Sequence, residues 1–355
     1  MSVEVARVTV RPWTLQMRQP FVTARGRRHL TRNLLLTVTL GNHAKGVGEA
    51  SESLAWPEDS QPAMRRWLHA FVPRLIGAPL PEAWRVIRDA WHTPDRRPAA
   101  LAALECALAS AEAQARGVPL WRWLACQLGR TPTRPSRIAT SYTISAWETP
   151  EAARAVRTMA RRGFTRFKVK ITGAEPDADL ARVIAVHRAA PRARMVLDAN
   201  QGFTTAPAAR DFLRTTQRLN LPIDGLEQPV PRHDLDGLAW ITRHARVPVI
   251  ADESAASSED VTMIIRRRAA HAINIKLAKS GLIGALEMIR LARRAGLKLM
   301  IGCMAESAVG LTPSVHLACG TGFFTFVDLD SFLLVKSAAP GGFTIAGPRL
   351  SVTRR

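Results

Sequence analysis

Two lysines stand one residue apart in the apolar run Phe167-Lys168-Val169-Lys170-Ile171, in a chain that writes most of its cations as arginine. Only seven of its 50 basic residues are lysine, at 45, 168, 170, 276, 279, 298 and 336. In a strand, residues i and i+2 leave on the same face, so both side chains point one way, opposite Val169. Arginine would serve a solvated face equally well, but it keeps its proton, whereas a buried lysine can give it up. The pair is either the wet side of a strand or a base beside a second charge.

Further ionisable residues follow at a regular interval. Asp198 sits in "RMVLDAN", Glu227 in "DGLEQP" and Asp252 in "VPVIADES", and Lys276 ends "HAINIK". From Lys170 the steps are 28, 29, 25 and 24 residues. Taken singly, each acid reads as a helix cap or turn residue. Repetition in consecutive units favours a shared site. Three hard oxygen donors with no Cys or His among them suit Mg²⁺, with Mn²⁺ able to substitute. Taking a proton from carbon beside a carboxylate requires stabilising an enolate, which a divalent cation supplies. A lysine base must be partly neutral, and a neighbouring cation lowers its pKa. On this reading Lys170 is the base and Lys168 the charge that tunes it.

Such residues need a frame that gathers strand ends. From about residue 136 the chain alternates strand-like runs ("IATSYTIS", "TRFKVKI", "RMVLDAN", "DGLEQP", "VPVIADES", "HAINIK", "LKLMIGCM", "FTFVDLD") with amphipathic stretches such as "PEAARAVRTMARRG" and "IGALEMIRLARRAG". This alternation implies parallel strands joined by crossover helices, in an open sheet or a closed barrel. Eight strands between 136 and 330 favour an α/β fold of the (β/α)₈ barrel type, whose strand C-termini converge on one mouth. Residues 1–130 begin with strands and continue into helices, an α+β unit of their own. "GRTPTRPSR" (129–137) reads as a linker, and the tail 331–355 as a strand-like return onto the first domain.

Bulk properties narrow the function. At 355 residues and 47% hydrophobic the chain builds a large core. No apolar run approaches a membrane span, and the start alternates like a strand rather than a signal peptide, so a cytoplasmic protein without a membrane partner is expected. The net charge of +21 invites a nucleic-acid reading. Its arginines are spread along the chain, with one tyrosine and no stacking motif, so no nucleic-acid partner is expected. Cys106, Cys126, Cys303 and Cys319 are scattered and read as buried thiols. A homo-oligomer is compatible with the sequence.

The set "KVK", "LDAN", "LEQP", "ADES" and "INIK", in this order, resembles the enolase superfamily, in its muconate-lactonizing-enzyme subgroup. "GVGEA" and "ARGVPLWRWL" extend the resemblance through the capping domain. The resemblance implies a modified TIM barrel, Mg²⁺ on Asp198, Glu227 and Asp252, and Lys170 and Lys276 as opposed acid/base catalysts. It also implies Lys168 near the substrate carboxylate. "MIGCMAES" after the seventh strand carries no His, unlike the mandelate-racemase subgroup.

Within the subgroup, "FVDLDSFLLV" discriminates. Asp328 and Asp330 would point the same way from the eighth strand, as carboxylates for a substrate ammonium. They resemble the D-x-D motif of dipeptide epimerases, a class of isomerase. "QPFVTARGRRHLTRN" resembles a capping loop of epimerases acting on L-Ala-D/L-Glu, which implies Arg28 on a γ-carboxylate and a role in cell-wall peptide recycling. Glu52 on the second capping loop would instead serve a cationic dipeptide, and hydrophobic dipeptides are a further option. A cycloisomerase, o-succinylbenzoate synthase or N-acylamino-acid racemase of the same family stays as the alternative.

Overall fold

The computed structural model describes residues 3–353; residues 1, 2, 354 and 355, at the outer ends of the expected capping domain and tail, lie outside it. The cap opens on a meander of β1 (Val5–Thr23), β2 (Gly26–Leu40) and β3 (Lys45–Ala50). The segment 19–33 is not a free loop. It is the end of a long hairpin, with Thr23 opposite Gly26 and Phe21 opposite Arg28. A two-residue turn at Ala24 and Arg25 and a register shift between Gln16 and Phe21 carry its tip away from the sheet.

Helix Pro98–Ala115 lies on this sheet. Any Cβ at Gly46 or Gly48 would collide with the helix carbonyls of Ala107 and Ala103, so "GVG" is what lets helix and strand meet backbone to backbone. Leu34, Leu36 and Val38 pack there against Leu101, Leu104 and Leu108 as one core.

After β4 (Ile138–Ala139), eight strands form a single parallel sheet. These are β5 (Tyr142–Ile144), β6 (Arg166–Lys170), β7 (Arg194–Asp198), β8 (Ile223–Glu227), β9 (Val249–Ala251), β10 (Ala272–Ile275), β11 (Lys298–Ile301) and β12 (Phe326–Val327). They follow one another in sequence order, with helices outside, as parallel strands require. The sheet curls until β5 and β12 meet, where Ser141 N–H donates to Val327 O at 2.9 Å and Leu329 N–H to Thr140 Oγ1 at 2.8 Å. It is the expected (β/α)₈-type barrel with an α+β cap.

"IATSYTIS" is divided: its first residues form β4, and only Tyr142–Ile144 joins the barrel. The tail divides too. β13 (Val335–Lys336) pairs with β1, while β14 (Thr344–Ala346) and β15 (Arg349–Ser351) form a small sheet with β4. Cys106 and Cys319 are buried thiols as expected, but Cys126 is exposed. Its helix turns Leu120, Trp121, Leu124 and Ala125 inward, which leaves position 126 outside. Among the described residues no helix is long and apolar enough to cross a membrane.

Candidate active site

The strand ends at the mouth bring together every acid and lysine singled out by spacing. Lys168 and Lys170 lie on β6; Asp198 and Glu227 end β7 and β8; Asp252 and Lys276 directly follow β9 and β10. Asp328 and Asp330 follow β12. In the strand order β6 and β10 are four apart, so Lys170 and Lys276 come from opposite sides of the barrel. All eight side chains are buried.

Each ammonium has chosen its carboxylates. Lys168 Nζ lies 3.0 Å from Asp198 Oδ2, 2.9 Å from Glu227 Oε2 and 2.7 Å from Asp328 Oδ2. Lys170 Nζ donates to Asp198 Oδ2 at 2.6 Å and to Asn200 Oδ1 at 2.9 Å. Lys276 Nζ donates to Asp252 Oδ2 at 2.6 Å. Burial opposes the charge on Lys168, but Asp198, Asp328 and Glu227 outweigh it and hold its pKa well above the ordinary lysine value. It is held as a cation beside Lys170. Lys276 differs from the lowered pKa that a base calls for: Asp252 overcomes burial and raises it.

Four residues that sequence reasoning left without a role complete the floor. Lys279 Nζ donates to Asp252 Oδ1 (2.8 Å), to the Asp252 carbonyl (2.5 Å) and to Asn274 O (2.9 Å). Gln228 Oε1 accepts from Asp252 N and Ser254 N, both at 3.0 Å, and so fixes the turn that carries Asp252. Asn274 Nδ2 donates to Glu227 Oε1 at 2.8 Å. Glu253, beside Asp252, is buried, and burial raises its pKa, helped by the charges of Asp252 and Asp198. The rarity of lysine was a usable signal for Lys279, and the other three lie inside the quoted motifs "LEQP", "INIK" and "ADES", which signalled the family without giving them a role.

The carboxylates do not form a ready oxygen cage: among the described residues no three metal-ligating side chains are gathered at binding distance. The ammonium groups stand between them. Charge and donor chemistry nonetheless fit a divalent cation. Six buried carboxyl groups (Asp198, Glu227, Asp252, Glu253, Asp328, Asp330) face four buried ammonium groups (Lys168, Lys170, Lys276, Lys279), so the acids outnumber the cations by two. Glu227 Oε2, despite its nearness to Lys168, receives no hydrogen bond of good geometry, and neither does Glu253 Oε2. Burial, then the Asp198 charge, push Glu227 up to about 8, while Lys168 and Lys170 overcome burial to hold Asp198 down at about 2. Buried carboxylates short of cations are what a hard divalent ion relieves.

Above the floor the cavity is roofed by the cap: Phe21, Arg25 and Arg28 from the hairpin, and Glu52 to Trp56 from the second capping loop. Arg28 Nη1 donates to Glu52 O at 3.1 Å, and among the described residues no carboxylate lies within ion-pairing distance of it. Burial lowers its pKa, against the Glu52 charge. Glu52 itself is occupied, accepting from Gln61 N at 2.9 Å and Arg32 N at 3.2 Å. Cap and barrel are locked beside the cavity by Glu49, whose carboxylate accepts from Ser307 Oγ (2.5 Å) and Gly310 N (3.2 Å) at the start of helix Ala308–Thr321.

At the far end, Asp328 shares Lys168 and accepts from Ser141 Oγ at 3.1 Å. Asp330 Oδ2 accepts from Thr143 N at 2.5 Å and has no cation within ion-pairing distance among the described residues. Burial, then the Asp328 charge, push Asp330 up to about 7.

Comparison with known proteins agrees with this geometry. The model of the family "Enolase C-terminal domain-like" matches residues 151–355. An aromatic dipeptide epimerase of Herpetosiphon aurantiacus is 33% identical over 99% of this chain and 97% of its own length. The substrate-liganded L-Ala-D/L-Glu epimerase of Bacillus subtilis superposes with a TM-score of 0.92 at 29% identity, covering 99% of this chain and 96% of that one. A dipeptide epimerase of Enterococcus faecalis, solved with Mg and L-Leu-L-Tyr, gives 0.90 at 26% identity over 99% and 98%. With these motifs on these strand ends, the chain belongs to the enolase superfamily, in its mandelate racemase/muconate-lactonizing division, and is an isomerase of the racemase and epimerase kind.

Proposed function

We propose that this protein is a dipeptide epimerase that moves the α-proton of the C-terminal residue from one face to the other. Lys170 and Lys276 reach the cavity from opposite sides, so a Cα between them has one nitrogen on each face. One lysine takes the proton and the other returns a proton to the opposite lobe; the roles exchange for the reverse direction. Lys276, paired with Asp252, would return a proton in one direction and take one in the other. Lys168 stays cationic and would stabilise the substrate carboxylate. Asp198, Glu227 and Asp252 would hold Mg²⁺, which when bound supplies charge stabilisation as the α-carbon loses its proton.

The observation that carries the dipeptide reading is Asp330, a buried carboxylate at the cavity end with no cation within ion-pairing distance among the described residues. Next to Asp328 it makes a place for a free α-ammonium, which an N-acylated or non-amino substrate lacks. Asp330→Asn should lower kcat/KM for a free dipeptide by about ten- to a hundredfold, the loss of one charge-assisted contact. N-acetylating the dipeptide should cost the wild type a similar factor, and the two losses should not add. Equal turnover of the N-acetyl and free substrates would move the assignment to an N-acylamino-acid racemase.

For the side chain we propose an acidic residue, with L-Ala-D/L-Glu as substrate and cell-wall peptide recycling as its setting. Among the described residues Arg28 at the cavity roof has no carboxylate partner and Glu52 is already engaged, which favours an anionic group over a cationic one. Phe21, Leu54 and Trp56 in the same roof favour a second reading, a hydrophobic or aromatic residue. Comparing L-Ala-L-Glu with L-Ala-L-Phe separates them. Arg28→Met should cost L-Ala-L-Glu about tenfold or more in kcat/KM and spare L-Ala-L-Phe. A wild type that prefers L-Ala-L-Phe, with no penalty from the substitution, would favour the aromatic reading.

A further inference from the structure

Helix Pro98–Ala115 belongs to the cap but is buried along nearly its whole length, and Glu105 near its middle has no exposed surface. A carboxylate is costly to bury without donors, and this one has three. Leu282 N–H (2.5 Å) and Ile283 N–H (3.0 Å) donate to Oε2, and Trp91 Nε1–H (2.7 Å) donates to Oε1. Leu282 and Ile283 open the regular part of helix Leu277–Arg294, after Gly281 interrupts it at φ 69°, ψ −178°. Glu105 therefore does for a barrel helix what an N-cap side chain does, from a position 177 residues earlier in the chain. Gly281 has no space for a Cβ, which would meet the Glu105 carboxylate and the Trp91 ring, and its positive φ favours glycine in any case.

Only the short turn from Lys276 to Ser280 lies between β10 and this capped interruption. It carries Lys276 at one end, and it is fastened lower down by the Lys279 ammonium on Asp252 and Asn274. We infer that Glu105 is a positioning residue for Lys276. By capping the helix just beyond Gly281, the capping domain fixes the pose of the Lys276–Ser280 turn, and so sets the reach of one acid/base lysine without the other. Lys170, on β6 across the barrel, lies outside this linkage. The inference rests on the two-lysine reading proposed above, and it explains why a buried cap residue far from the cavity should touch chemistry on one face only.

The test is solvent exchange of the α-proton in D₂O, measured separately on L-Ala-L-Glu and L-Ala-D-Glu (or the L-Ala-Phe pair, if the wild type turns that over). Glu105→Gln keeps the shape but sets an amide NH₂ against the N–H donors. It should slow exchange of one epimer by about ten- to a hundredfold, the effect of a small misplacement of a reacting group, and leave the other epimer unchanged. Lys276→Ala, run alongside, identifies the affected epimer. Trp91→Phe, a gentler change that removes only the donor to Oε1, should shift exchange in the same one-sided direction; it carries the test if circular dichroism shows Glu105→Gln unfolded. Should Lys276→Ala itself fail to give one-sided exchange, the two-lysine reading falls, and the inference with it. With Lys276→Ala one-sided, folded Glu105 and Trp91 variants that slow both epimers equally, or neither, would show that Glu105 only holds the fold together.

Discussion

Lys276→Ala should epimerise its dipeptide about 10²- to 10⁴-fold more slowly than the wild type, the usual worth of a positioned acid or base, yet still exchange the α-proton of one epimer with solvent. Each lysine serves one face, so removing one leaves a proton that can be taken and returned on the same side. Lys170→Ala should show the mirror result, with exchange surviving in the other epimer. Both variants should fold, because neither strands a buried carboxylate. Asp252 keeps Lys279 at 2.8 Å when Lys276 is gone, and Asp198 keeps Lys168 at 3.0 Å when Lys170 is gone. Lys170→Arg should be nearly as damaging as alanine, since the charge remains but the base does not. Which lysine acts on which epimer is read directly from the exchange. Robust two-way turnover by either alanine variant would sink the assignment.

Mg²⁺ should raise the melting temperature of chelator-treated protein as well as restore its activity. Buried acids outnumber ammonium groups at the mouth by two, so the folded chain is the state that gains from a divalent cation, and a ligand that binds only the folded state stabilises it by mass action. At a hundred times Kd that amounts to about 2.7 kcal/mol, several degrees in a domain of ordinary size. Asp252→Asn should reduce both the thermal shift and the activity, and Glu227→Gln should do the same. Exhaustively chelated protein that runs at full rate, with a melting temperature indifferent to Mg²⁺, would mean that the carboxylates serve only the lysines.

Much of this site was readable because the relevant information is local. The interval of strand plus helix repeats along the chain, and a residue at a strand end stays at the barrel mouth wherever the strand is placed. Lys168, Lys170, Asp198, Glu227, Asp252 and Lys276 were therefore findable from spacing and residue type, and the quoted motifs sharpened them into a family. Asp328 and Asp330 were findable from the same strand end, although both stand beyond β12 rather than on it, so the i, i+2 relation of a strand is not what places them. What the tertiary structure alone decided involves partners far apart in sequence. The grip of Lys168 on Asp328 spans 160 residues, that of Glu49 on Ser307 spans 258, and the Glu105 cap on Leu282 spans 177. No periodicity encodes such pairings, since they depend on how cap and barrel are laid against each other. The same holds for the choice each ammonium makes among six carboxyl groups: residue type and spacing bring them to one mouth, but only the packed strand ends determine which oxygen faces which nitrogen.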